Sequence, residues 1–211
     1  ADSRLVVILL NTVVVALLSA LIATIIGTMG AIGIQTMRNR KLRNTVLSLN
    51  NILIVSPDVI IGASFLILFT MVGIKLGFIS VLLSHIAFSI PIVVIMVLPK
   101  MQEMSNTLID AALDLGASKK EVLTRVILPY IQPGIFAGFF MALTYSLDDF
   151  AVTFFVTGNG FSTLSVEIYS MARAGVSLTV NALSGIVFAV TMLLVLGYYF
   201  VTTRKVKGVR K

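Results

Sequence analysis

Two adjacent carboxylates, Asp148 and Asp149, lie within an otherwise apolar stretch that is long enough to cross a membrane as a helix. A carboxylate in the hydrocarbon interior costs about 2.5–3.5 kcal/mol, so such groups usually line a solute path or pair with another group. Tyr145, one turn earlier, adds an aromatic face that attracts ammonium groups. These three residues predict a path for a cationic solute. The alternative is a structural pair with Arg173 or with the end of a facing helix.

Other kinds of site chemistry are poorly represented in the 211 residues. There is no Cys and only one His, so Cys-based nucleophiles and His or Cys metal clusters are excluded. No Gly-Lys dipeptide occurs, and a phosphate-binding P-loop requires one. His85 lies in an apolar stretch, where it could relay protons, but a hydrogen bond to a neighbouring helix is the favoured interpretation. The sequence therefore predicts a chain that is not an enzyme and binds no cofactor or metal of its own.

The composition places these residues in a bilayer. The chain is 58% hydrophobic and 12% charged, with a mean hydropathy of +1.05, whereas soluble domains are about 45–50% apolar. A span needs about 20 apolar helical residues. Five stretches meet this requirement and predict an all-α membrane protein; they are residues 5–34, 52–72, 78–98, 133–156 and 182–201.

The net charge of +7 reports the topology of the chain. Thirteen of the sixteen basic residues fall in three segments, 38–43, 100–125 and 204–211, which alternate with segments that hold only Arg4, Lys75 and Arg173. Basic residues accumulate on the cytoplasmic side of membrane proteins. We therefore expect those three segments, including the C-terminus, to be cytoplasmic and residue 1 to lie outside.

Small residues predict where the spans pack closely. They recur every fourth position along the first span, in two neighbouring rows, and the fourth span carries Gly134 and Gly138. In the second span, Ser56-Pro57-Asp58 predicts a helix start, with Ser56 as its cap and Asp58 near the positive end of the helix dipole. The same break could instead belong to a broken helix that lines a cavity.

Residues 105–129 form a polar hairpin between two apolar runs. Ser105 can cap a helix over 106–115, which Gly116 ends. Ser118 with Glu121 three residues later is a capping box that opens a second helix, and Pro129 predicts its end. The pattern indicates a compact helix-turn-helix outside the bilayer.

The spacing within this hairpin resembles the EAA loop of membrane subunits of ABC importers. Asp110-Ala111-Ala112 is followed by Gly116, Val126 and Leu128-Pro129, with Asp for the usual Glu and Val for the usual Ile. In that family the loop docks on the ATPase subunit, so the resemblance implies that these seven residues couple the chain to an ATPase. An ordinary hairpin between helices is the alternative.

The resemblance extends over nearly the whole chain. The segments SPDVIIGASFLILF, LGFISVLLSHIAFSIPIVV and IYSMARAGVSLTVNAL, with the Asp pair, are similar to type I importer permeases of the spermidine/putrescine C-subunit kind. The resemblance implies a single permease domain over 1–211 in a bacterial inner membrane, with a sixth span before residue 1. It implies an external segment at 157–181, where cargo is delivered and Glu167 would meet it. Solvated surface charge is the default interpretation of Glu167.

The same resemblance implies a set of partners. They are a second, related permease subunit, two ATPase subunits that hold ATP and Mg²⁺, and an external polyamine-binding protein. Two alternatives remain at this point. A permease of this kind could carry thiamine, ferric iron or an amino acid, or the chain could serve a channel or secondary transporter with the two aspartates as its ion site.

Overall fold

The computed structural model describes residues 2–174 together with residues 189 and 192, and the regular elements of this part are all helical. Ala1–Glu167 form one compact unit and Ile168–Lys211 a second. Of the predicted span at 182–201, all but residues 189 and 192 lie outside the described residues. The helices are α1 (Asp2–Thr36), α2 (Arg40–Val55), α3 (Asp58–Val72), α4 (Phe78–Glu103), α5 (Asn106–Asp114), α6 (Lys119–Val122), α7 (Leu128–Asp148), α8 (Ala151–Val156) and α9 (Leu164–Ala174), with a π-helical turn at Leu123–Ile127 between α6 and α7.

Three helices of the described part are long and apolar enough to cross a membrane. They cover Arg4–Thr36, Phe78–Glu103 and Lys119–Asp148, and the α2–α3 pair, bent by 105°, makes a fourth if it is one broken span. The predicted membrane class is therefore confirmed, while the predicted number of five spans is confirmed only in part. The sharp bend confirms that the second predicted span is interrupted at Ser56-Pro57-Asp58.

The packing of α1, α4 and α7 follows the small residues. All members of the two rows on α1 are buried, namely Ala16, Ser19, Ala20, Ala23, Thr24, Gly27, Thr28 and Ala31. Val93 of α4 sits against glycines from both neighbours: a Cβ at Gly27 would lie 2.7 Å from Val93 Cβ, and one at Gly138 3.2 Å from Val93 Cγ1. The prediction that these faces pack on other helices is confirmed, because only glycine allows such close approach.

The Ser56-Pro57-Asp58 break differs in detail from its prediction. The Ser56 hydroxyl donates to the Ile52 carbonyl at 2.6 Å, so Ser56 closes α2 instead of capping α3. The Ser56 N–H donates to the same carbonyl at 2.9 Å, so both donors of Ser56 bond the last turn of α2. Pro57 occupies the cap position of α3 without a side-chain hydrogen bond, and Asp58 lies in its first turn as predicted.

The fourth predicted span also proves to be two helices. The chain leaves α7 after Asp148 and resumes as α8 at Ala151. We call this junction, residues 148–150, the acidic break. A continuous helix over 133–156 was therefore the wrong expectation at this point, since the Asp149 carboxylate binds backbone N–H groups of α8 and begins a new helix there.

Candidate functional site

The polar hairpin has the local structure that its sequence predicts. Ser105 Oγ accepts the Thr107 N–H at 3.2 Å at the start of α5. Gly116 ends this helix in the left-handed region, with φ +85°. Ser118 Oγ accepts the Glu121 N–H at 3.3 Å, and the Glu121 carboxylate accepts the Ser118 N–H at 3.0 Å. Both caps and the glycine stop are confirmed.

Pro129 does not end the second helix, contrary to the prediction. The chain continues from α6 through the π-helical turn into α7, and Pro129 lies at the beginning of α7. A proline lacks an N–H and its ring conflicts with a regular α-helical turn before it. The wider π turn precedes the proline, so the backbone remains helical and joins the hairpin directly to the membrane-spanning part of α7.

The residues of the EAA-like pattern lie on the hairpin and at its junction with α7. Asp110, Ala111, Gly116 and Pro129 are exposed, whereas Ala112, Val126 and Leu128 are half-buried. Ile109 and Leu128 pack against the apolar core shared by α1, α4 and α7. Leu115, by contrast, is 89% exposed. The hairpin is thus anchored on one side and presents an apolar side chain on the other, an arrangement suited to a mechanical contact.

The acidic break borders a second candidate site, a cavity of about 350 Å³. Asp58 at the start of α3 meets the end of α7 there, where the Tyr145 hydroxyl donates to Asp58 Oδ1 at 2.9 Å. The lining residues are Asp58, Met141, Thr144, Tyr145, Asp148, Asp149, Phe150 and Ala151. Three carboxylates and a phenol beside apolar walls can hold a cationic group.

The two adjacent aspartates have different surroundings. Asp148 is exposed on the cavity side. The Asp149 side chain is 5% exposed and lies 3.5 Å from His85, measured between Oδ2 and Nε2. Asp149 also borders the cavity, but its carboxylate is engaged by a structural contact, with His85 in place of the partners that the sequence suggested.

Glu167 lies apart from these residues, although it was grouped with them as a candidate. Its carboxylate pairs with Arg4 Nη2 at 3.2 Å and it is not among the residues that line the cavity. Asp58, conversely, was interpreted mainly as a helix-dipole residue. It lies 87 positions from Tyr145, and no local pattern in the sequence connects the two.

His85 is buried and hydrogen-bonded to two neighbouring helices, as its favoured interpretation predicted. Among the described residues, no group of three or more His, Cys, Asp or Glu side chains is arranged to hold a metal ion.

Residues 23–207 match the family model described as the inner membrane component of binding-protein-dependent transport systems. The chain belongs to this family. It is therefore a multi-pass membrane protein of the permease type, consistent with its apolar helices.

Three relatives indicate where in the family it lies. The spermidine/putrescine transport system permease protein PotC of Escherichia coli K12 is 37% identical over 198 residues, which are 94% of this chain and 75% of that protein. PotC of Haemophilus influenzae is 35% identical over 92% of this chain and 76% of its own length. The putrescine permease PotI of Escherichia coli K12 is 31% identical over 82% of this chain and 64% of its own length.

A solved structure supports the fold. A chain of the MetNI methionine ABC transporter superposes with a TM-score of 0.71 at 20% identity, covering 92% of both chains. The transmembrane fold of type I ABC importers is therefore confirmed for this chain.

Proposed function

We propose that this chain is a membrane-spanning permease subunit of an ABC importer for polyamines such as spermidine and putrescine. The observation that carries the proposal is the 37% identity, over 94% of the chain, to a permease named for these two solutes. A second relative named for putrescine transport points to the same class of solute.

The cavity at the acidic break supplies the matching chemistry. A polyamine carries several ammonium groups, and Asp58 and Asp148 supply carboxylates at the cavity while Tyr145 supplies an aromatic ring. A carboxylate near a cation contributes favourable Coulomb energy that water screens less in a cavity than at an open surface. We assign the solute path to this cavity, with Asp149 behind it, and place Glu167 in an external segment at 157–181 that faces the incoming solute.

The polar hairpin provides the coupling to ATP hydrolysis. Asp110, Ala111, Ala112 and Gly116 would contact an ATPase subunit, and Val126, Leu128 and Pro129 would carry the movement into α7. ATP and Mg²⁺ would be bound by the ATPase pair, so the permease itself is non-catalytic. A second permease and an external polyamine-binding protein complete the assembly, with 1–211 as one permease domain whose C-terminus is cytoplasmic.

Transport by the assembled complex tests the solute. The full-length chain, with its permease partner and ATPase subunits, is reconstituted in vesicles, and ATP-driven uptake of labelled spermidine and putrescine is measured with binding protein present. We expect uptake by wild type and about a tenfold loss of apparent affinity in Asp148→Asn, equivalent to about 1.4 kcal/mol. Glu103→Gln is the matched control, because Glu103 is exposed but lies outside the cavity. An intact complex that hydrolyses ATP but imports neither polyamine would overturn the assignment.

Coupling is tested with two glycines that have the same backbone requirement. Gly116 and Gly73 have φ of +85° and +78°, and at both a Cβ would meet nothing within 4 Å. Alanine at either position therefore causes similar backbone strain without a clash. We expect Gly116→Ala to reduce uptake per ATP hydrolysed and Gly73→Ala to leave it unchanged. Equal effects of the two substitutions would argue against a coupling role of the hairpin.

A further inference from the structure

His85 of α4 contacts both sides of the acidic break. Its Nδ1 lies 2.6 Å from Ser146 Oγ in the last turn of α7, and its Nε2 lies 2.9 Å from Thr153 Oγ1 in α8. The residue is 1% exposed. A single buried imidazole thus bridges the two helices that the break separates.

The hydrogen bonds of Thr153 determine which group donates in its contact with His85. The Thr153 hydroxyl donates to Asp149 Oδ2 at 2.7 Å, so its oxygen is left to accept from His85 Nε2–H. The Asp149 carboxylate also accepts the N–H groups of Val152 at 3.3 Å and Thr153 at 2.8 Å. His85 therefore acts on the carboxylate directly and through Thr153, and the network directs Asp149 towards α8.

Helix geometry connects this inward contact to the cavity. Residues three positions apart share a helix face. Tyr145 and Asp148 share the side of α7 that lines the cavity, while Ser146 meets His85 on another side. Asp149, just beyond the end of α7, contacts His85 and also borders the cavity. Holding Ser146 and Asp149 against α4 therefore determines how Tyr145 and Asp148 are presented to the cavity.

The same helix supports the cavity tyrosine through a second side chain. Phe88 lies one turn after His85 on α4, with its ring centroid 4.9 Å from the His85 ring and 5.0 Å from the Tyr145 ring. Edge-on packing of Phe88 against Tyr145 restricts the orientation of the phenol. Through His85 and Phe88, α4 thus contacts both Ser146 and Tyr145 in the last turn of α7.

We propose that His85 is a positioning residue for solute recognition. By holding Asp149 and Thr153, it fixes the acidic break so that Asp148, beside Asp58 and Tyr145, is the carboxylate presented to a polyamine ammonium group. The proposal rests on the proposed function of the cavity. His85 itself does not touch the solute.

The first test measures geometry without transport. The chain has no Cys, so Asp148→Cys and Asp149→Cys report separately on the reaction of this subunit with a cationic methanethiosulfonate reagent in the assembled complex. We expect Cys at 148 to react at least about tenfold faster than Cys at 149. In the Asp148→Cys chain, His85→Leu should change the rate severalfold, and His85→Gln, whose amide still donates and accepts, should restore it. Equal rates in all three backgrounds would overturn the positioning role.

The second test measures transport. His85→Leu should raise the apparent KM for spermidine about tenfold with maximal uptake within about twofold, and His85→Gln should recover most of the affinity. In an Asp148→Asn background, His85→Leu should add little, because its effect passes through Asp148. Equal losses in both backgrounds would mean that His85 acts independently of Asp148, which contradicts the proposal.

A milder variant covers the case in which His85→Leu fails to assemble. Thr153→Val removes the hydroxyl between His85 and Asp149 while keeping the side-chain shape. It should shift the labelling rate at position 148 and the KM in the same directions as His85→Leu does, each by a smaller factor. Wild-type values for both would overturn the proposal. Absence of polyamine uptake by wild type would refute the proposed function, while the labelling experiment would still decide the role of His85.

Discussion

The polar hairpin and the acidic break differ in how far along the chain their stabilising contacts reach. In the hairpin, the hydrogen-bond partner of Ser105 is two positions away along the chain, and that of Ser118 is three positions away. At the acidic break, His85 bonds Ser146 and Thr153, which are 61 and 68 positions away. The hydrogen bonds of the hairpin are thus local and exposed to solvent. Those of the acidic break are tertiary contacts between buried side chains.

The difference in contact range distinguishes a locally stabilised hairpin from a helix break that depends on several helices. In the coupling role proposed above, local caps would let the hairpin keep its shape while it moves, since few of its hydrogen bonds depend on other helices. The acidic break depends on the relative positions of α1, α4, α7 and α8, including a 3.0 Å contact between Ser19 and Ser146. Any movement of α7 relative to α4 would therefore alter the contacts of His85 with Ser146 and Asp149.

Asp149→Ala should have the largest effect on stability. It removes the acceptor of three hydrogen bonds and the carboxylate beside buried His85; at about 1 kcal/mol for each lost hydrogen bond, the cost is roughly 3 kcal/mol. Denaturant titration of the purified full-length chain in mixed micelles measures the loss. Asp148→Ala is the control and should cost well under half as much. Similar costs at the two positions would contradict the division of roles between them.

Gly116→Ala should have a smaller effect that is confined to the hairpin. Alanine in the left-handed region costs about 1–2 kcal/mol, and the free space around Gly116 leaves this backbone strain as the only penalty. Hydrogen exchange should accelerate in α5 and α6 and stay unchanged in α4. Gly33→Ala is the control, because its site is helical and also open. Faster exchange throughout the molecule would show that the hairpin is not an independent unit.

Ser118→Ala should cost about 1 kcal/mol by removing an N-cap. The expected result is faster exchange of the amides at 119–122, with the midpoint of global unfolding nearly unchanged. Ser118→Gly should recover most of the loss, since glycine is tolerated at this position. A fall in global stability comparable to that of Asp149→Ala would refute the local character of the hairpin.

Tyr145→Phe should have the smallest effect on stability, below about 1 kcal/mol. It deletes the hydroxyl that donates to Asp58 but keeps the ring against Phe88. Thermal unfolding of the complex measures the stability, and spermidine affinity in the uptake assay measures the site. Tyr145→Leu, which also removes the ring, should lower affinity further. No difference between the two variants would mean that the ring contributes nothing to solute binding.

Much of the hairpin could be predicted because each of its signals acts within a few residues. Ser105, Gly116 and the Ser118–Glu121 box all behave as their local sequence indicates. Pro129 is the exception: a proline often ends a helix, but here the chain continues through a π-helical turn into α7. The membrane class and the small-residue rows could also be predicted, since burial in a bilayer and close helix packing impose simple composition rules, but the number of spans is confirmed only in part.

By itself, the sequence determined that the chain is a helical membrane protein and that an EAA-like hairpin lies between two spans. It also determined that the small residues of α1 and α7 lie on the faces that pack against other helices. Only the tertiary structure decided that Asp148 is exposed at the cavity while Asp149 is held by His85, that Asp58 joins them there, and that Ser56 closes one helix instead of opening the next. The reason is physical. Two adjacent carboxylates look alike to local rules, and their difference arises from a histidine more than sixty positions away that hydrogen-bonds across the helix break.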